Sequence, residues 1–392
     1  MNFKNKNILL IIHHGALGGA ERQGLGLSKI LVEDYNCEVD LLLTFSDKLD
    51  KDFETYSKEC QIRKVHYFGP AYLNLPKKFE LRNFKRLKWS LGYLWKLRKE
   101  LNKYQYDIII PFLNTPSKIS FYLYKILPSV KITFWHQLGL DKWSRDIFEE
   151  IAAKHIPCVI ANSPTGLELF SQQYRINKKY VLPQYVSLNY ERGNRERILS
   201  NFQISEKKIL IGMIAQYRYD KYHELLLKAF ERINFNQYDV HLIFLGNKDI
   251  SATSRKKFEE LNKIIKKSSC NNRVSLLTNK KVQDVLNILD IGVLVSKIEG
   301  MPNAVMEYML YGLPVVASNH PGCRQLVEDD INGFLVNNDE EDLFLALMKL
   351  IENKSLRLSM SRNNQSKIKQ FDGKKYIHDL EMILTEVCSA KH

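Results

Sequence analysis

Glu299-Gly300-Met301-Pro302-Asn303-Ala304-Val305-Met306-Glu307 decides the reading of this 392-residue chain. An apolar stretch, Leu289 to Val295, leads into it and ends at Ser296. Tyr308-Met309-Leu310-Tyr311-Gly312-Leu313-Pro314 follows and reads as a helix closing on a glycine. The order is strand, glycine-containing turn, helix. The first N–H groups of a helix lack intrahelical acceptors and carry partial positive charge, which suits a phosphate or a sugar hydroxyl. Glu299 falls on the turn, and Glu307 one to two turns into the helix, within reach of the same crevice. Carboxylates accept hydrogen bonds and vicinal hydroxyls donate them, so the pair suits a sugar and a ribose. Taken alone, two glutamates at this spacing also fit an ordinary solvated strand-to-helix loop.

Outward from this segment the same alternation continues. Strands are expected near 209–214, 240–245, 273–277, 291–295 and 314–317, with helices near 222–232, 253–267, 281–288, 303–311, 340–352 and 355–368. Earlier in the chain, strands are expected near 7–12, 38–44, 107–112, 131–135, 157–161 and 179–182. Helices fit between them near 20–33, 83–103, 116–126, 144–153 and 164–173. Strand-helix alternation implies an α/β fold of parallel sheets covered on both faces, hence two doubly wound, Rossmann-like domains. The polar stretch 186–206 lacks periodicity and reads as the linker. This places the domains at 1–190 and 205–370. Ligands bind such sheets at the carboxyl ends of their strands.

Composition narrows the class. The apolar fraction of 45% and charged fraction of 26% are those of a globular protein. No apolar run reaches the roughly 18 residues that a membrane span needs. Residues 8–12 are too short for a signal h-region and read as a buried strand, so a cytoplasmic location is expected. Six scattered cysteines without a Cys-x-x-Cys pair fit reduced thiols rather than a disulfide framework or zinc site. The net charge of +14 is uneven. Residues 1–200 hold 31 Lys/Arg against 20 Asp/Glu, and the remainder 27 against 24. The first half therefore suits an anionic partner.

The Glu299–Glu307 segment, Gly312-Leu313-Pro314-Val315-Val316-Ala317-Ser318, Gly322 and Asn332-Gly333-Phe334-Leu335-Val336 together resemble the donor-site signature of the retaining family-four glycosyltransferases. The resemblance runs almost without a gap from about 274 to 336. It implies a GT-B fold whose terminal helix, about 371–392, crosses back to the first domain. It implies that Glu307 holds the ribose, while Glu299 and the N–H groups of Gly300, Met301, Asn303 and Ala304 hold the donor sugar and distal phosphate. Pro302 has no N–H to give.

Five further positions follow from the same resemblance. Gly15-Ala16-Leu17-Gly18-Gly19-Ala20-Glu21-Arg22 opens the first helix, and Gly18 and Gly19 match a glycine loop that faces donor phosphates and acceptor. It lacks the spacing of a dinucleotide motif, and a plain tight turn is the alternative. His136, at the end of the strand Lys131–Trp135, matches a histidine that contacts the donor sugar; a structural histidine is the alternative. Arg218 and Lys221 follow the first strand of the second domain, where two cations would neutralise the departing diphosphate; two solvated loop charges are the alternative. That stretch departs from the family's Gly-Arg-Leu-x-x-x-Lys-Gly, with Ala215, Gln216 and Tyr222 at three of its positions. Gln184-Tyr185-Val186 likewise stands where the family shows Asn-Gly-Val. Asp50-Lys51-Asp52 is a literal Asp-x-Asp but falls in a polar stretch away from the expected cleft, so it reads as a solvated loop. No metal and no cofactor are expected.

Residues 77–103 carry ten basic residues against two acidic. Phe84, Leu87, Leu91, Leu94 and Trp95 recur near helical spacing, with Trp89 off the stripe. A basic amphipathic helix on an anionic membrane and a core-packed helix with a solvated basic face both fit. No nucleic-acid motif is present, and none is expected as a partner. The resulting expectation is a metal-independent retaining transferase. It would move a hexosyl or N-acetylhexosaminyl group from a nucleotide-sugar, UDP before GDP, to a lipid-linked or polysaccharide acceptor in bacterial surface glycan synthesis. An epimerase-like enzyme on the same fold and an inactive membrane-peripheral scaffold are the alternatives.

Overall fold

A computed structural model describes residues 2–45, 49–78, 80–139, 143–249 and 251–389. It forms two compact units, Met1–Ser187 with Phe371–His392, and Leu188–Gln370. The first unit opens with β1 (Asn7–Ile12), α1 (Gly19–Tyr35), β2 (Glu38–Leu43), α2 (Lys51–Glu59), β3 (Lys64–Tyr67), α3 (Arg82–Leu101) and β4 (Ile108–Pro111). It continues with α4 (Asn114–Ile126), β5 (Trp135–Gln137), α5 (Ile147–His155), β6 (Val159–Ala161), α6 (Pro164–Gln173) and β7 (Lys179–Val181). The strands pair in the order β3-β2-β1-β4 and β5-β6-β7, all parallel, and an Ile108–Ile132 bridge links the two groups.

Strand β1 shows why this sheet needs helices on both sides. Ile8 through Ile12 are fully buried. Because side chains alternate along a strand, Ile8, Leu10 and Ile12 join Leu25 and Leu31 of α1 on one face. Leu9 and Ile11 join Leu97 and Leu101 of α3 and Ile119 and Leu123 of α4 on the other. The first face is completed by α15 (Gly373–Ser389), which contributes Tyr376, Ile377, Leu380, Leu384 and Val387. The chain re-enters this unit through a Val186 N–H to Phe371 carbonyl bond of 3.0 Å.

The second unit runs α7 (Arg195–Phe202), β8 (Ile209–Ile214), α8 (His223–Glu231), β9 (Val240–Leu245), α9 (Ala252–Lys267), β10 (Val274–Leu277), α10 (Val282–Ile288) and β11 (Ile291–Leu294). After these come α11 (Asn303–Leu310), β12 (Val315–Ser318), α12 (Pro321–Arg324), β13 (Gly333–Val336), α13 (Glu340–Glu352) and α14 (Lys354–Lys367). Its six parallel strands are ordered β10-β9-β8-β11-β12-β13, so the winding reverses between β8 and β11. That reversal is where doubly wound sheets open a crevice.

Several local features differ from the sequence reading. The stretch 186–206 is not structureless, because Asn194 caps α7 through the Arg197 N–H and Arg195 bonds Asp290 at 3.2 Å. Strand β5 starts at Trp135, so His136 lies within it rather than after it. Asp50-Lys51-Asp52 opens α2, with Asp50 at its N-cap. Strands β3 and β13 were not anticipated; both are four-residue strands of mixed burial. All six cysteines are free thiols.

Candidate active site

At the reversal in the second unit, the loop after β8 is stitched to the loop after β11. Lys221 bridges Ser296, the Tyr222 N–H donates to the Val295 carbonyl (3.0 Å), and the Lys297 N–H donates to the Asp220 carbonyl (2.8 Å). Tyr217 anchors the first loop from below. It is fully buried, and its hydroxyl donates to the Leu277 carbonyl at 2.5 Å. His223 holds the loop from behind. Burial lowers its pKa to about 4, so the ring is neutral, and Nδ1 donates to the Lys221 carbonyl at 2.9 Å. The outcome is a fixed position for the Lys221 ammonium, which forms an ion pair with the Glu299 carboxylate. Both side chains retain 15% exposure, so the pair faces a partly open crevice.

The Glu299 turn rests on a second set of contacts. A Cβ on Gly322 would lie 2.4 Å from the Glu299 carbonyl oxygen and 2.5 Å from that of Gly300, so only glycine lets α12 approach this turn. The Ser296 N–H donates to Ser318 Oγ (2.8 Å), which donates to Asn338 Oδ1 (2.6 Å); Asn338 Nδ2 returns to the Ser296 carbonyl (2.9 Å). The carboxyl ends of β11, β12 and β13 are thus tied together beside the turn. Cys323 lies buried beneath it, and burial, reinforced by the nearby Glu299 charge, raises its thiol pKa well above the ordinary value.

From the turn, Pro302 caps α11, whose first turn carries the N–H groups of Asn303 and Ala304 at a half-buried surface. Gly300 is likewise half-buried, whereas Met301 is buried. Glu307, on the second turn, is 4% exposed. Its neighbour Tyr308 fixes the helix to the sheet: the Ile214 N–H donates to its hydroxyl (2.7 Å), which donates to the Val293 carbonyl (3.1 Å). Gly292 makes room for that ring, since a Cβ there would lie 2.4 Å from it. The helix ends in a Schellman motif. The Leu313 N–H reaches the Tyr308 carbonyl (2.9 Å), the Gly312 N–H reaches that of Met309 (3.0 Å), and Gly312 has φ +67°.

In the first unit, Gly18 is the N-cap of α1 and Gly19 its first residue, at the carboxyl end of β1. Glu21 is buried beside them and accepts hydrogen bonds from the backbone at His14, Gly18 and its own position. Burial nevertheless raises its pKa to about 7. His136 is also buried, and desolvation lowers its pKa to about 4. The neutral ring donates from Nδ1 to the Pro111 carbonyl (2.9 Å), which leaves Nε2 as a lone-pair acceptor. That Nε2 is buried and has no partner among the described residues.

Lys221, Glu299, Gly300, Met301, Asn303, Ala304 and Glu307 therefore converge in one unit, and Gly18, Gly19 and His136 belong to the other. Arg218 differs from Lys221: it is exposed, and its Nε is held by Asp220 at 2.9 Å. The unusual Tyr185 has a packing explanation. Its buried hydroxyl donates to the Gln23 carbonyl (2.6 Å), its ring packs against Tyr376 of α15, and Gly26 and Gly373 leave the space it fills. Sequence patterning missed Tyr217, Tyr308, His223 and Glu21 as supports, because apolar periodicity does not distinguish a buried anchor from core.

Comparison with known proteins bears on this geometry. Residues 194–367 match the family of glycosyl transferases group 1. The matched segment spans nearly all of the second unit, including the Lys221–Glu299 pair and α11. Two relatives share segments of higher identity. An uncharacterized glycosyltransferase of Haemophilus influenzae is 41% identical over 91 residues, covering 23% of this chain and 26% of that protein. The UDP-Gal:alpha-D-GlcNAc-diphosphoundecaprenol alpha-1,3-galactosyltransferase of Escherichia coli is 38% identical over 88 residues, 22% of each. These alignments span about a quarter of the two relatives' own length. Over the whole chain, the structure of Anabaena Alr3699/HepE in complex with UDP-glucose superposes with a TM-score of 0.78. It has 20% identity and covers 97% of this chain and 100% of that one. The fold is GT-B, with two Rossmann-like domains.

Proposed function

We propose that this protein is a retaining glycosyltransferase that moves a hexosyl or N-acetylhexosaminyl group from a UDP-sugar to a hydroxyl of a lipid-linked or polysaccharide acceptor. GDP-sugars are the second donor class. The observation that carries this reading is the fixed Lys221–Glu299 pair beside the N-terminus of α11, with Glu307 behind it. In this reading Glu307 accepts from the ribose hydroxyls, and Glu299 with the N–H groups of Gly300, Met301, Asn303 and Ala304 accommodates the sugar and distal phosphate. Lys221, aided by Arg218, stabilises the diphosphate as it leaves. His136 offers Nε2 as an acceptor to a sugar hydroxyl, and the Gly18–Gly19 loop serves the phosphates and the acceptor. No metal is required, since the cations and helix N-terminus supply the counter-charge.

The donor class draws support from the UDP-galactose named for the Escherichia coli relative and the UDP-glucose held by the Anabaena protein. A lipid-linked acceptor draws support from the diphosphoundecaprenol substrate named for the Escherichia coli relative. Such an acceptor places the enzyme peripherally at the inner face of a cell membrane; no helix among the described residues is long and apolar enough to cross one.

The test is nucleotide release from a panel of UDP- and GDP-sugars, with water or an added polyprenyl-diphosphate sugar as acceptor and chelator present and absent, for wild type and Glu299→Ala. One UDP-sugar should turn over regardless of chelator, and the variant should lose about 10²–10³-fold in rate, the usual cost of removing a charge-stabilising group. If no sugar nucleotide is consumed, and neither UDP nor GDP raises the melting temperature, the reading is wrong.

A further inference from the structure

Helix α3 carries two apolar stripes, and only one of them is used by the fold. Ser90, Tyr93, Leu94, Leu97 and Leu101 face inward, the last four packing beneath the sheet with Leu9 and Ile11 of β1. A second stripe, Phe84, Leu87, Leu91 and Trp95, recurs at three- and four-residue spacing along the outer face. Phe84 is 64% exposed, Leu91 56% and Trp95 63%. Trp89, beside the stripe, is 59% exposed. Of the apolar residues read as one stripe in the sequence, only Leu94 turns inward. Phe79 lies outside the described residues.

The outer face is flanked by exposed or half-buried cations, Arg82, Lys85, Arg86, Lys88, Lys96 and Lys99. Exposed aromatic and aliphatic side chains of this size normally seek a cover. The charge decides which cover fits. A second copy laid along α3 would bring two strongly basic helices together, at a cost in like-charge repulsion. An anionic bilayer meets both features, with headgroups against the cations and the acyl boundary against the aromatics.

A pocket of about 360 Å³ adjoins this face, lined by Ala71, Tyr72, Asn74, Pro76, Arg86 and Trp89. It combines a guanidinium with two aromatic walls, a combination that accepts an anionic headgroup at the level where lipid chains begin. Its loop follows β3 and so stands at the carboxyl edge of the first sheet, the edge that also carries the glycine loop. The connection is continuous: the Ala71 N–H bonds the Thr44 carbonyl (2.8 Å), Phe45 N–H bonds that of His13 (3.0 Å), and Asp50 N–H bonds that of Gly15 (2.8 Å).

We propose that the outer face of α3, with the Tyr72–Arg86–Trp89 pocket, docks this protein onto an anionic phospholipid surface at the end of the first unit that carries Gly18 and Gly19. Docking itself does not depend on glycosyl transfer. Only its use, delivery of a lipid-linked acceptor to the glycine loop, rests on the proposed function.

The experiment is sedimentation of the full chain with vesicles of phosphatidylcholine alone or mixed with phosphatidylglycerol, at low and high salt, without donor. Wild type should bind the mixed vesicles, release with salt, and shift its tryptophan emission to the blue, since Trp135 is already buried while Trp89 and Trp95 are exposed. Lys85→Glu/Arg86→Glu/Lys88→Glu should weaken binding about a hundredfold or more. Leu91→Gln/Trp95→Gln should bind but show a smaller emission shift, carried by Trp89 alone. Retention of the first unit's cooperative melting transition reports that the variants are folded. The wild-type salt and emission response needs no variant at all. Equal binding to neutral vesicles, no binding, or a wild-type dimer that the Leu91→Gln/Trp95→Gln change dissociates would overturn the proposal. Failure to find a turned-over sugar nucleotide would leave the vesicle result standing.

Discussion

Glu21 shows how much a single residue's setting matters. On sequence alone it is a first-turn acid in Gly18-Gly19-Ala20-Glu21, where a carboxylate favours the helix dipole. In the fold it turns into the protein and gathers backbone N–H groups of the His14–Gly18 loop, while burial raises its pKa from 4.5 to about 7. The folded state therefore favours the protonated acid. Its contribution is complete below about pH 4.5, declines as pH rises to about 7, and is constant above that. The span corresponds to about 3 kcal/mol. A Glu21→Gln variant should lack this decline. Melting curves from pH 4.5 to 8 should show wild type losing ground to the variant up to pH 7 and no further. A pH-independent gap would place the carboxyl in an ordinary solvated setting. Lys221 and Glu299 make the complementary point. Their residue types were legible as cation and acceptor, but their pairing depends on a loop anchored by Tyr217 and His223, for which the sequence offers no spacing rule.

Among the elements, α11 is the one on which the site depends, because it carries the N–H groups and Glu307 on one short helix. Its position is set at both ends: Tyr308 ties it to β8 and β11, and Gly312 closes it. Gly312 has φ +67°, and an added Cβ would stand 2.7 Å from Gln365 Nε2 and 2.8 Å from Ser361 Oγ of α14. Gly312→Ala should therefore cost about 1–2 kcal/mol for the left-handed conformation alone, with the contact to α14 adding to it. Urea unfolding of the second unit should register the loss. Unchanged stability would mean that the helix ends differently. The Gly312 terminus was legible because a glycine before Leu-Pro marks a helix end. The strands β3 and β13 were not, because each is only four residues of mixed burial, too short to reveal a period. The helix α7 was hidden for a related reason: its buried apolar side chains are only Ile198 and Leu199, set in charged sequence.

At the scale of the molecule, strand-helix alternation was enough to indicate two parallel α/β units, because buried parallel strands are continuous apolar runs such as Ile8–Ile12. What alternation could not convey is that the last helix completes the first core. Tyr376, Ile377, Leu380, Leu384 and Val387 of α15 are each at most 5% exposed. Burying a side chain of this size contributes roughly 1.5–3 kcal/mol, so the five together supply about 10 kcal/mol. A whole domain is commonly stable by only about 5–15 kcal/mol. The first unit therefore cannot close its core from residues 1–187 alone. A chain ending at Gln370 should lose the cooperative melting of the first unit and expose apolar surface to a dye such as ANS. The second unit has its own six-stranded sheet, and α15 belongs to the first unit, so the second should retain a cooperative transition that UDP shifts upward. Retention of both transitions in the shortened chain would show that the first core closes without α15. Loss of both would show that the second unit needs the first in order to fold.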